Sequence, residues 1–190
     1  MRNAFIELIK TFTLAIFLLL VLQSFIQLYQ VSGPSMEPLL ASGDRIVVNK
    51  LRYAAFDLNR INDLIPTRNS STDQIWQPLG PPKAGDLIVF KSVQNESKTL
   101  VKRIVALPGE RVKIVRGVIY VNDFPVAEPY AENVVLQTYP EVLIPVGEFF
   151  VMGDNRVSSN DSRNWGTVPI ENIVGKAWII YWPFGRNDIL

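Results

Sequence analysis

Two side chains in this sequence have the setting for hydrolytic chemistry: a serine fenced by glycine and prolines, and a lysine inside a run of β-branched residues. The serine is Ser35, in Ser32-Gly33-Pro34-Ser35-Met36-Glu37-Pro38, where one Gly and two Pro restrict the backbone around a single hydroxyl. The lysine is Lys102, in Thr99-Leu100-Val101-Lys102-Arg103-Ile104-Val105-Ala106. A serine hydroxyl becomes a nucleophile only beside a base, and none of the 190 residues is His or Cys. That composition excludes a Ser-His-Asp triad, a cysteine nucleophile, a zinc finger and a thioredoxin-like pair. The proton shuttle of any enzyme built here must be Lys, Asp, Glu, Tyr or a terminal amine.

A lysine at its ordinary pKa of ~10.4 is neutral in only about one molecule in 2,500 at pH 7. Desolvation disfavours the ammonium, so a lysine on a buried strand can reach ~7 to 8 and accept a proton from a hydroxyl. Strand alternation puts Lys102 on the face of Leu100 and Ile104, and Arg103 on that of Val101 and Val105. This pattern permits an inward Lys102 and equally one on the solvent face. Taken alone, Ser35 reads as a turn residue as readily as a nucleophile.

A third segment, Gly153-Asp154-Asn155-Arg156-Val157-Ser158-Ser159-Asn160-Asp161-Ser162-Arg163, is dense in hydrogen-bonding groups and follows the apolar run Phe149–Met152. It reads either as a polar surface loop or as hydroxyls and Asp–Arg pairs that orient a catalytic group. Its acidic residues miss the spacing of a calcium-binding EF-hand loop.

The elements that must position these groups begin with an apolar anchor. From Thr11 to Tyr29 no residue is charged, and as a helix the run spans roughly 28 Å, close to a hydrocarbon core of about 30 Å. Gln23-Ser24-Phe25-Ile26 offers no small-residue cleavage site, and Ala15–Leu22 has no polar face, so a retained membrane helix is expected over a signal peptide or a core helix. Arg2 and Lys10 precede it, which leaves residues 1–10 cytoplasmic and the remainder on the exported side, extracytoplasmic or lumenal. Ser35 follows Tyr29 by six residues, a reach of at most ~20 Å from the expected membrane boundary.

Residues 30–190 are expected to form one mainly β domain. Strands are read at Arg45–Asn49, Asp86–Phe90, Thr99–Ala106, Glu110–Arg116, Val118–Val121, Glu148–Met152 and Lys176–Tyr181, with a tight hairpin at Arg116-Gly117. Residues 57–84, with four prolines, read as a long surface excursion. Lys+Arg 19 against Asp+Glu 18 gives a formal net charge of +1 and no field for nucleic acid.

Taken together, the anchor, Ser32–Pro38, Gly43-Asp44, Gly85-Asp86, Val101–Glu110, Gly153–Arg163 and Trp165-Gly166 resemble the type I signal peptidases, in the same order along most of the chain. The resemblance implies a β-rich catalytic domain of complex antiparallel topology behind a single membrane helix. It implies Ser35 as nucleophile and Lys102 as general base, with Ser159 helping to orient the lysine. Asp161 with Arg163 resembles the family's ion pair near the site, and Asp154 with Arg103 is expected to form a further one. The oxyanion donor is the Ser35 backbone N–H; Gly33 stands where some members carry a serine donor, so the second donor is not named. The implied substrates are preproteins with small Ala-X-Ala-type residues before the cut, and no metal or organic cofactor is implied. Two other readings stand beside it: a Ser/Lys processing peptidase with another substrate, and a non-catalytic membrane-tethered β domain that holds signal segments or a partner.

Overall fold

A computed structural model of the protein describes residues 2–53, 56–57, 75–76, 79–186 and 189–190. Helix α1 (Arg2–Phe25) opens the chain. Within it Ile6–Phe25, with a mean hydropathy of 2.0 and no buried residue in its most apolar stretch, is the one helix among the described residues long and apolar enough to cross a membrane.

The helix stops at Phe25, four residues before the boundary expected from hydropathy. Ile26–Gln30 is strand β1, paired antiparallel with β2 (Arg45–Asn49) from Ile26↔Asn49 to Gln30↔Arg45. The Lys50 N–H also caps the Phe25 carbonyl at 2.9 Å. Backbone groups past Phe25 thus find sheet partners, and alternating Ile26, Leu28 and Gln30 share one face.

Short strands β3 (Phe56–Asp57) and β4 (Ile75–Trp76) pair with each other. Residues 58–74 and 77–78, most of the expected 57–84 excursion, lie outside the described residues. The strands β5 (Leu87–Lys91), β6 (Thr99–Ala106), β7 (Arg111–Val115), β8 (Val118–Val121), β9 (Phe124–Pro125), β10 (Tyr139–Leu143) and β11 (Glu148–Met152) follow. A one-turn helix α2 (Ser162–Trp165), β12 (Val168–Pro169) and β13 (Ile173–Trp182) follow, and two short 3-10 turns, Leu51–Tyr53 and Ile170–Asn172, complete the described elements.

A seven-stranded sheet has the order β1-β2-β13-β5-β6-β11-β12, and a four-stranded sheet has the order β10-β7-β8-β9. Arg116 and Gly117, both at positive φ (48° and 83°), turn β7 into β8 as expected for a two-residue hairpin. One apolar cluster, including Met36, Leu40, Ile46, Val48, Leu87, Val89 and Ile180, lies under the Ser35 segment. A second joins the two sheets through Ala106, Phe150 and Met152 against Val112, Ile114 and Ile119. A third gathers Ile88, Phe90, Ile104, Phe149 and Val151.

Candidate active site

Ser35 opens a single hydrogen-bonded turn. The Glu37 N–H donates to the Pro34 carbonyl at 3.1 Å and the Leu40 N–H to the Met36 carbonyl at 2.8 Å. Met36 and Leu40 are fully buried, so the turn is nailed to the core by the residue right after the serine and by its last residue. Ser35 itself stays half-buried at the mouth of a cleft of about 110 Å³. Val31, Ile46, Val89, Leu100 and Val101 give this cleft apolar walls, and Tyr29, Ser32, Thr99 and Lys102 add polar groups.

Lys102 comes from the middle of β6, opposite Ile88 of β5. The alternation is resolved inward: Lys102 is 3% exposed and Ile104 is fully buried. The Lys102 ammonium Nζ stands 2.6 Å from Ser35 Oγ, across 67 residues of sequence. Burial pushes the Lys102 pKa down from 10.5 to about 8. The carboxylates of Asp161 and Asp154 pull it back up, and the Arg163 guanidinium adds to the fall. A base poised within about a unit of neutral pH is what proton transfer from a hydroxyl requires.

The Gly153–Arg163 segment leaves the end of β11 and folds into a buried polar knot around Asp161, which is fully buried. Its Oδ2 accepts from the Gly153 N–H (3.0 Å), Ser159 Oγ (2.6 Å) and Arg163 Nη2 (2.9 Å); its Oδ1 accepts from Arg163 Nε (2.8 Å). Asp161 also caps α2 by accepting from the Arg163 N–H. So many donors hold this carboxylate in place. Ser159 therefore spends its hydroxyl proton on Asp161, and no hydrogen bond joins it to Lys102 among the described residues.

Asp154 and Arg103 form the second pair, with Nε–Oδ1 at 2.9 Å and Nη2–Oδ2 at 2.6 Å, and Arg103 adds a bond to the Gly85 carbonyl. The strand leading into this segment and the serine turn meet at Gly153. A Cβ there would run into Ser159 Oγ and the Ser35 carbonyl oxygen, so only glycine admits this approach. The Asn155 N–H then binds that Ser35 carbonyl at 3.2 Å.

Several contributors are not singled out by sequence reasoning. Arg156 is nearly buried, grips Glu128 through two bonds of 2.7 and 2.6 Å, and donates Nε to the Gly153 carbonyl at 3.0 Å. The Tyr130 ring lies 4.0 Å from the Arg103 guanidinium carbon, a cation–π contact. Glu132 bridges Asn155 and exchanges backbone bonds with Asp154 and Arg156. Arg156 and Asn155 are visible as polar residues of their segment. Glu128, Tyr130 and Glu132 meet them only through tertiary folding, which leaves no local signal.

A hydroxyl bonded to a buried, easily neutralised amine, with a carboxylate hub behind it, can perform acyl transfer by nucleophilic attack. Among the described residues no three His, Cys, Asp or Glu side chains cluster as metal ligands. Comparison with known proteins shows a likeness to signal peptidases. The family described as "Signal peptidase, peptidase S26" matches residues 5–182. A "Probable signal peptidase I-2" of Synechocystis sp. is 30% identical, with 100% of this chain and 78% of the relative aligned. A "Signal peptidase I" of Leptolyngbya laminosa is 32% identical over 94% of this chain and 80% of its own. Another of Bacillus caldolyticus is 35% identical over 82% and 79%.

Proposed function

From the chain's membership of the signal peptidase family, peptidase S26, which makes it a peptidase with type I signal peptidase function, we propose that Ser35 is the nucleophile and Lys102 its general base. The observation that carries this reading is the 2.6 Å approach of Lys102 Nζ to Ser35 Oγ in a buried setting that favours the neutral amine.

The preprotein lies extended along the cleft and is held by backbone hydrogen bonds, as in strand addition. The small volume and apolar walls of the cleft favour Ala-X-Ala-type residues before the cut. Lys102 takes the Ser35 hydroxyl proton as Oγ bonds to the scissile carbonyl carbon. The oxyanion is met by the Ser35 N–H, which makes no hydrogen bond among the described residues. Collapse of the tetrahedral intermediate breaks the C–N bond, and the Lys102 ammonium returns the proton to the leaving amine. A water deprotonated by the same lysine then hydrolyses the ester and frees Ser35. Asp161, with Ser159 and Arg163, and Asp154, with Arg103, hold the surrounding backbone and bias the charge of Lys102 without reacting.

Helix α1 is the membrane anchor, with Arg2 and Lys10 at its cytoplasmic end and no Lys or Arg from Thr11 to Asp44. Strand pairing supports contact with lipid beyond the helix. Ile26 and Leu28 of β1, Val47 of β2 and Ile179 and Trp182 of β13 share the sheet face away from the core, by their register. Trp182 is 42% exposed and Phe184 beside it 79%, a composition suited to the headgroup region.

The test is cleavage of a preprotein by the full chain in detergent. Ser35→Ala and Lys102→Ala should each abolish processing, and chelators should leave the wild type unaffected. Wild-type rates in either variant would sink the assignment.

A further inference from the structure

The turn that carries Ser35 has a cap supplied from the other end of the chain. Two carbonyls near its end, Pro38 and Leu39, receive no backbone N–H among the described residues. Such terminal carbonyls need a donor from elsewhere. Both are bound by one nitrogen, Arg186 Nη2, at 3.1 Å each. The other terminal nitrogen, Nη1, stands 3.2 Å from Asp44 Oδ2.

Asp44 is itself part of the frame. It is 3% exposed, accepts the Ala41 N–H on Oδ2 at 2.8 Å, and accepts the Val31 N–H on its carbonyl at 2.8 Å. The guanidinium thus ties together the end of the serine turn and the residue that closes the loop back to β1. A planar fork with several fixed donors can serve two carbonyls and a carboxylate at once, which a lysine ammonium does with less reach and no fixed geometry.

Arg186 is held in turn. The chain leaves β13 at Trp182, the Arg186 N–H bonds the Pro183 carbonyl at 3.2 Å, and the terminus returns to the sheet through Ile189 against Ile179 and the Leu190 N–H on the Trp178 carbonyl. The segment that carries the cation is held at both ends, and among the described residues the guanidinium's hydrogen bonds go to Pro38, Leu39 and Asp44, none of which lines the cleft.

We propose that Arg186 is a positioning residue for the nucleophile: by capping the Pro34–Leu40 turn it keeps Ser35 Oγ within hydrogen-bond reach of Lys102. This rests on Ser35 being the nucleophile. Because the Tyr29–Ser32 and Thr99–Lys102 walls of the cleft lie outside the cap, the expected effect falls on turnover and not on substrate binding.

The experiment measures kcat and KM for preprotein cleavage by full-length Arg186→Met and Arg186→Lys, per folded molecule, with the folded fraction read by circular dichroism. Arg186→Met should lose at least ten-fold in kcat with KM within two-fold of wild type, and Arg186→Lys should recover part of the loss. An unchanged kcat, or a loss explained wholly by a smaller folded fraction, overturns the proposal. Ser35→Ala in the same assay separates the two ideas. If it retains activity, the nucleophile assignment has failed, whereas an inactive Ser35→Ala beside a fully active Arg186→Met refutes the cap alone.

Discussion

Replacing Lys102 with Met should inactivate the enzyme and make it more stable. Folding lowers the Lys102 pKa from 10.5 to about 8. At about 1.4 kcal/mol per pH unit, keeping this side chain protonated inside the fold at pH 7 opposes folding by roughly 3 kcal/mol. The sign follows from proton binding: the unfolded chain holds the proton more tightly, so the penalty is full below pH 8 and fades as pH rises toward 10.5. Methionine fills a similar volume without a charge, but forfeits the hydrogen bond to Ser35, worth about 1 kcal/mol. The net gain is about 2 kcal/mol at pH 7, a rise of several degrees in Tm, and about zero at pH 10. Thermal unfolding of both full-length proteins in one detergent, at pH 7 and pH 10, measures it. A variant no more stable than wild type at pH 7, or a difference that is the same at both pH values, would refute the reasoning.

Two further outcomes follow from the same geometry. Wild-type kcat/KM should climb about ten-fold per pH unit below the Lys102 pKa of about 8, reach half its plateau there, and stand near a tenth of it at pH 7; a pH-independent rate between 6 and 8 would contradict lysine as the base. Gly153→Ala should lower kcat at least ten-fold, since a Cβ meets the Ser35 carbonyl and Ser159 Oγ, and a variant with wild-type kinetics would show that the two segments can part freely.

Much of the strand order along the chain was readable from residues alone. Thr99–Ala106, Arg45–Asn49, Val118–Val121 and Glu148–Met152 occur as read, because β-branched runs bounded by Gly, Pro, Asp or Asn have few other options. Tyr139–Leu143 went unread because Pro140 and Glu141 depress its strand signal. Ile26–Gln30 was hidden by continuity: hydropathy does not change where the helix becomes a strand, and only the partner Arg45–Asn49 decides the switch. The candidate pair Ser35 and Lys102 was accessible because the composition left few bases and the flanking segments carry a family pattern. Which way Lys102 faces was not, since Leu100 and Val101 are both apolar and only the packing of β5 and β11 against β6 breaks the tie. Arg186 and Glu128 were invisible for another reason: their partners lie 148 and 28 residues away.

The direct passage from α1 into β1 has a practical corollary for anyone wanting a water-soluble form of this enzyme. Trimming at Tyr29, where hydropathy ends, would strip four of the five paired residues of β1 from the sheet and turn β2 into a raw edge with a nearly unpaired row of amides and carbonyls. Such a protein invites self-association whatever its catalytic competence. Trimming at Phe25 instead discards the greasy helix and leaves the sheet's own border strand in place, and the two truncations, four residues apart, should differ sharply in yield and dispersity.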